Sequence, residues 1–153
     1  MSEIQRIVDQ MDRAFAGDAW HGPSLEQVLD GISAEDASRH PIAQAHSIWE
    51  LLHHVRAWNA IVRRRLKNET VEVTSEMDWP PVLESSAAAW KRAIEDCQES
   101  RARLRAAVED FPEDRLAEKP GNSKDSAYIM LHGLLQHDLY HAGQMALLKK
   151  ALR

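Results

Sequence analysis

Apolar residues recur every three to four positions along most of this chain, the pattern of helices that bury one face. Ile4, Ile7, Val8, Met11 and Phe15 predict a first helix from about Ser2 to Ala16 that stops near Gly17. Pro23-Ser24-Leu25-Glu26 resembles a helix start. The weak stripe Leu25, Val28, Leu29 and Ile32 is interrupted by Gly31 and His40-Pro41, which predicts a connector with one or two helical turns. The second long helix begins around Ala45 to Ser47, carries Ile48, Leu51, Leu52, Val55, Trp58, Ile61, Val62 and Leu66, and ends near Asn68.

Between Asn68 and Leu83 the pattern lapses, and Asp78-Trp79-Pro80-Pro81 forbids a regular element. A third helix spans about Ser85 to Asp110, with Ala89, Trp90, Ala93, Ile94, Cys97, Leu104 and Val108, closed by Phe111-Pro112. After a loop from Glu113 to Lys124, Ser126 to Leu152 forms the last and longest helix. The expectation is an all-α protein: a single domain, residues 1–153, built as a four-helix bundle with a long crossover between the second and third long helices.

Composition agrees, with only 6 glycines and 6 prolines and 44% hydrophobic residues in 153. Nineteen basic against twenty-four acidic residues give a formal charge of -5. The one basic cluster, Arg63-Arg64-Arg65, lies at helical spacing among apolar residues, which argues against a nucleic-acid partner. No leader-like start and no run near the roughly 18 apolar residues of a membrane span are present, so a cytoplasmic protein without membrane attachment is expected. Cys97 is the lone cysteine, and Asp96 and Glu99 beside it disfavour a thiolate, so it reads as inert.

Histidine stands out, with eight residues, three of them (His132, His137 and His141) within ten positions. At about 100° per residue, His137 and His141 lie one above the other on the stripe of Met130, Leu134 and Leu148, so both imidazoles point inward. Two neutral imidazoles on an apolar stripe must find partners, and a divalent ion takes both lone pairs at once. A hydrogen-bond network within the core is the competing reading. His137-Asp138-Leu139-Tyr140-His141 lacks the glutamate that zinc peptidases use as general base, which excludes that class. A third ligand must come from the second long helix. There His54 flanks the core face between Leu51, Trp58 and Ile61, while His46 and His53 fall roughly opposite with Arg56, Arg63 and Arg64. A boundary position capped by solvent is the alternative for His54.

The blocks His46-Ser47-Ile48-Trp49-Glu50-Leu51-Leu52-His53-His54, Asp78-Trp79-Pro80 and Gln136-His137-Asp138-Leu139-Tyr140-His141-Ala142-Gly143-Gln144 resemble the DinB/YfiT-like superfamily. This is the damage-inducible bundle family, not the DNA polymerase that shares the name. The resemblance implies a four-helix bundle, usually a homodimer, with a divalent metal on His54, His137 and His141, and a surface role for His53. It also implies relatives that are thiol S-transferases or isomerases using a low-molecular-weight thiol such as bacillithiol, mycothiol or glutathione.

Three imidazoles leave an open coordination position of the catalytic kind, for a water or a thiol. The expected function is a metal-dependent transferase or hydrolase acting on a small-molecule electrophile in stress or detoxification, with zinc or nickel as the foremost metals. A non-catalytic metal-binding stress-response module is the alternative. Asp138 and Gln144 are candidates to orient the ligands from behind, with Asp138 as an exposed helix residue the competing reading. Trp49, Trp58 and Trp79 either wall a pocket or pack the core. Arg56, Arg63, Arg64 and Arg65 either meet thiol carboxylates or form a solvated face. Leu131, Leu135, Leu139, Ala142 and Ala146 form a second apolar arc on the last helix, which suggests a homodimer surface.

Overall fold

The computed structural model describes residues 1–152, and every regular element among them is helical. Four helices are long: α1 (Glu3–Ala16), α4 (Ile48–Leu66), α6 (Ala87–Glu109) and α7 (Ala127–Ala151). Three are short: α2 (Leu25–Leu29), α3 (Ala34–Ser38) and α5 (Ser75–Asp78), and a 3₁₀ turn spans Glu113–Arg115. The connector after α1 thus holds two short helices. The stretch expected to be irregular between α4 and α6 contains one helical turn, α5, placed before the prolines, where Thr74 caps it. None of the helices among the described residues is long and apolar enough to cross a membrane.

Helix starts follow from local chemistry. Ser2, Ser24, Ser33, Ser47, Thr74, Ser86 and Ser126 each accept a hydrogen bond from a backbone N–H of the first turn. Each such cap stabilises its helix by about 1 kcal/mol. At α4 the cap is reciprocal: Ser47 Oγ accepts from the Glu50 N–H and Glu50 Oε2 accepts from the Ser47 N–H at 2.7 Å.

α4 and α6 rise in the same direction, since Trp49 meets Trp90 with ring centroids 5.0 Å apart and Arg56 pairs with Asp96 further along. Two parallel neighbours need a long connection between them, here residues 67–86. α7 runs opposite to α4, and α1 opposite to α6, where Arg105 grips Asp12. The long connection is tied down by Asn122, whose side chain accepts from Val71 N–H and donates to Val71 C=O. Gly121 makes the same docking possible: its φ is +57°, and a Cβ there would overlap the Glu69 carbonyl oxygen.

The core comes in two apolar halves. One gathers Phe15, Ile48, Leu52, Trp90, Cys97, Met145 and Leu148. The other gathers Ile7, Met11, Val62, Leu104, Val108, Leu131 and Leu134. Between them three of the four long helices carry buried polar side chains, Asn59 on α4, Arg101 on α6, and Asp138 and His141 on α7, while α1 contributes the Met11 carbonyl, which accepts from Arg101 Nη2 at 2.7 Å. The histidine cluster opens from this polar waist.

Candidate metal centre

The capped start of α4 fixes the helical phase that points His54 inward, 5% exposed, while α7 supplies His141, 6% exposed, and His137, whose side chain is 25% exposed. Their Nε2 atoms converge: His54 to His137 at 2.8 Å and His137 to His141 at 3.1 Å. All three ligand atoms lie within 4.8 Å of one another, the arrangement of a group able to hold a metal ion.

The opposite edges of the rings explain which nitrogens face inward. His54 Nδ1 lies 2.6 Å from the Asp78 carbonyl oxygen, and His141 Nδ1 lies 2.6 Å from Gln144 Oε1. Both oxygens are acceptors, so each Nδ1 carries the proton and donates it, leaving a bare lone pair on Nε2. Burial pushes the pKa of His54 down, and that of His141 down to about 4, with the neighbouring imidazoles adding to the effect and the hydrogen bonds to Asp78 and Gln144 opposing it. Both rings are therefore neutral at pH 7. Lone pairs at such separations repel unless a proton or a cation lies between them, so this donor set fits a divalent ion.

Asp78 and Trp79 latch the crossover onto the site. Trp79 stacks on His54 at 3.9 Å with a 7° interplanar angle, and on His46 at 3.6 Å with 12°. Trp58 Nε1 donates to Asp78 Oδ1 at 2.8 Å. Of the three tryptophans considered as pocket walls, Trp58 and Trp79 border the histidines, whereas Trp49 is 1% exposed in the core and donates to His53 Nε2 at 3.0 Å.

His53 is thereby corrected: it is half-buried rather than a surface residue, bridging Trp49 and the Pro80 carbonyl at 3.3 Å. Its nitrogens are spent there, away from the cluster. His46, expected opposite the core, reaches the site indirectly through Trp79, and with His40 it lies within 3.4 Å of the Glu50 carboxylate.

Asp138 is 4% exposed, which rules out the exposed-residue reading. It binds Arg101 Nη1 through Oδ2 at 2.9 Å, and its other oxygen lies 3.7 Å from His137 Nδ1. Neither of those last two atoms has another hydrogen-bond partner among the described residues. Arg101, buried to the same degree, was missed by sequence reasoning. The available signal was its place on the stripe Cys97, Arg101, Leu104, Val108, where an apolar residue is the default.

Cys97 is buried, with its thiol pushed up to about 12 by burial and by the Asp138 charge, and so is no nucleophile. A cavity of about 500 Å³ between α4 and α7 opens beside His137 and is lined by Trp58, Leu134 and Arg65 among others.

A family model described as the DinB superfamily matches residues 19–145. The chain belongs to the DinB superfamily. The DinB match spans all three converging histidines, the Asp78-Trp79 latch and Arg101. No curated protein and no solved structure matches the chain.

Proposed function

We propose that this DinB-superfamily protein is a metal-dependent enzyme whose divalent ion, zinc or nickel foremost, is held by Nε2 of His54, His137 and His141. The observation that carries this reading is the convergence of three histidine Nε2 atoms beside a cavity of small-molecule size. When bound, the ion supplies a Lewis acid that lowers the pKa of a water or a thiol at its open position. The chain's own residues do the rest. Asp78 and Gln144 hold two imidazoles in the tautomer that offers Nε2, Trp79 covers His54 from solvent, and the burial around His141 keeps it a neutral base.

The reaction we favour is transfer of a low-molecular-weight thiol to a small electrophile, with hydrolysis of such a molecule as the neighbouring possibility. Among the described residues the carboxylates beside the cluster, Asp78 and Asp138, lie behind the imidazoles on their Nδ1 edges and are bonded to Trp58 and Arg101, so neither is placed as a nucleophile at the converging Nε2 atoms. That same observation supports the second reading, a metal-binding stress-response module without turnover. The four long helices then serve as the four-helix bundle of the family, with the long connection as its crossover, and the cytoplasm is the expected location.

A homodimer also belongs to this proposal, but on a different face from the one read in the sequence. Leu131 and Ala142 of the expected arc lie in the core, whereas Ile129, Tyr140 and Leu147 are exposed on α7 and offer the apolar surface. A single monomeric peak in light scattering at micromolar concentration would count against it.

The deciding experiment is metal content by plasma mass spectrometry on untagged protein, followed by turnover of a chromogenic haloarene with glutathione or bacillithiol. About one metal per chain, with thiol transfer abolished by a chelator and restored by the metal, supports the enzyme. Stoichiometric metal with no turnover of thiol transfer or hydrolysis selects the binding module, and no metal after reconstitution removes both.

A further inference from the structure

The cavity beside His137 is a groove with unlike ends. From His137 it passes between apolar walls formed by Trp58, Val62 and Leu134 to a polar end at Arg65, Asn122 and Lys124. Trp58 to Arg65 on α4 and His137 to Ile129 on α7 give it a length of roughly 10–12 Å at the helical rise per residue. Its volume of about 500 Å³ lies within the range of small-molecule sites.

Two features of this groove have no explanation in the fold. The Nε of Arg65 is buried without a hydrogen-bond partner among the described residues. Its neighbour Arg64, by contrast, is paired with Glu69 at 2.6 Å. A buried N–H on a cation left unmade is costly, and an anion alongside would satisfy it with a charge-assisted bond. The second feature is Gly133, in the middle of α7 on the groove wall. A Cβ there would meet nothing within 4 Å, so no neighbour excludes a side chain. Glycine in a helix interior costs about 1 kcal/mol relative to alanine, and here that cost leaves open groove.

Two acids share the polar end. Glu72 accepts from Asn122 Nδ2 at 3.2 Å, and Asp125 is exposed just before the start of α7. Asn122 is itself committed to Val71 and Glu72, so Arg65 and Lys124 are the groups left to meet a ligand.

We infer that the groove binds an amphipathic carboxylate about as long as a medium-chain acid, its anionic end on Arg65 and its apolar body against Trp58, Val62 and Leu134. The far end then reaches His137, and only this last point rests on the metal-enzyme reading. The ligand class is that of a substrate carrying its own handle, anchored one groove-length away from the reacting atoms.

The test is calorimetric titration of full-length protein with octanoate and, separately, with octanol, after a chelator has removed metal so that a carboxylate cannot score by coordinating an ion. Octanoate should bind, with octanol about tenfold weaker, the size expected of one charge-assisted hydrogen bond. Arg65→Gln should lose that advantage for octanoate and leave octanol unchanged. Gly133→Phe, at a position where an added Cβ meets nothing within 4 Å, should weaken both. Equal binding of the two probes, octanoate binding that survives Arg65→Gln, or no binding of either by protein with an unaltered thermal melt overturns the inference. Zinc stoichiometry measured on the same preparations separates the two ideas. Zinc without octanoate sinks the groove alone, and octanoate without zinc sinks the metal reading alone.

Discussion

The polar waist between the two apolar halves has an inner and an outer part, and they solve the problem of buried polarity in opposite ways. The inner part carries its own counter-charge: Arg101 and Asp138 pair at 2.9 Å and Met11 takes a further guanidinium proton, with only Arg101 Nε and Asp138 Oδ1 of the pair left without a hydrogen-bond partner among the described residues. The outer part is three imidazoles whose Nε2 atoms turn toward one another, with no counter-charge among them. A closed pair holds a fold together, whereas an open set of donors asks for a ligand. The difference also assigns roles to adjacent residues, since Asp138 belongs to the inner part and His137 to the outer.

The largest expected effect breaks the outer part. His54→Ala or His141→Ala should abolish stoichiometric metal, while His53→Ala, whose ring is occupied by Trp49 and Pro80, should retain it. Mass spectrometry of metal content reads this directly, and loss of metal in His53→Ala would overturn the assignment.

Breaking the inner part should act on stability instead. Asp138→Ala leaves a buried guanidinium unpaired and should cost about 3–5 kcal/mol in urea unfolding, whereas the double change Arg101→Met with Asp138→Leu should recover most of it. If the single and double variants unfold alike, the pair is not what stabilises the waist.

Between the two parts stands Gln144, which holds His141 from behind. Gln144→Ala should weaken metal affinity by about tenfold in chelator competition with the fold intact. Unchanged affinity would mean that burial alone orients the ring.

The smallest effect is a pH slope. The pKa of His141 is about 4 in the folded chain against an ordinary 6.5, so between these values the unfolded chain binds a proton that the folded chain does not. Stability of metal-stripped protein should therefore fall as pH drops from 6.5 toward 4, and the slope should shrink in His141→Asn. Thermal midpoints across that range check it, and identical slopes would refute it.

Much of this organisation was legible in the chain. Serines ahead of apolar stripes marked the starts of α1, α4, α6 and α7 to within a few residues, and helical phase together with the family resemblance favoured His54 over His53 and His46. Periodicity speaks for one helix at a time, however, and the features it missed all depend on a second element. Arg101 interrupts the apolar stripe of its own helix, but its partners Asp138 and Met11 come from other elements. His53 looks free until the crossover brings Pro80 to it. Two residues of the apolar arc on α7, Leu131 and Ala142, were misplaced for the same reason, because α1, α2 and α4 pack against α7 and take them into the interior.

His54 and His137 are separated by 83 positions. A divalent ion shared between them would close a chain loop of that length, doing reversibly what a disulfide does in proteins that have cysteines to spare. Closing so long a loop removes substantial freedom from the unfolded ensemble, by an amount that grows with the logarithm of loop length. Metal supply would thus govern not only whether the site works but how long the polypeptide survives proteolysis. A chelator added to cells should shorten the lifetime of the wild-type protein more than that of His54→Ala.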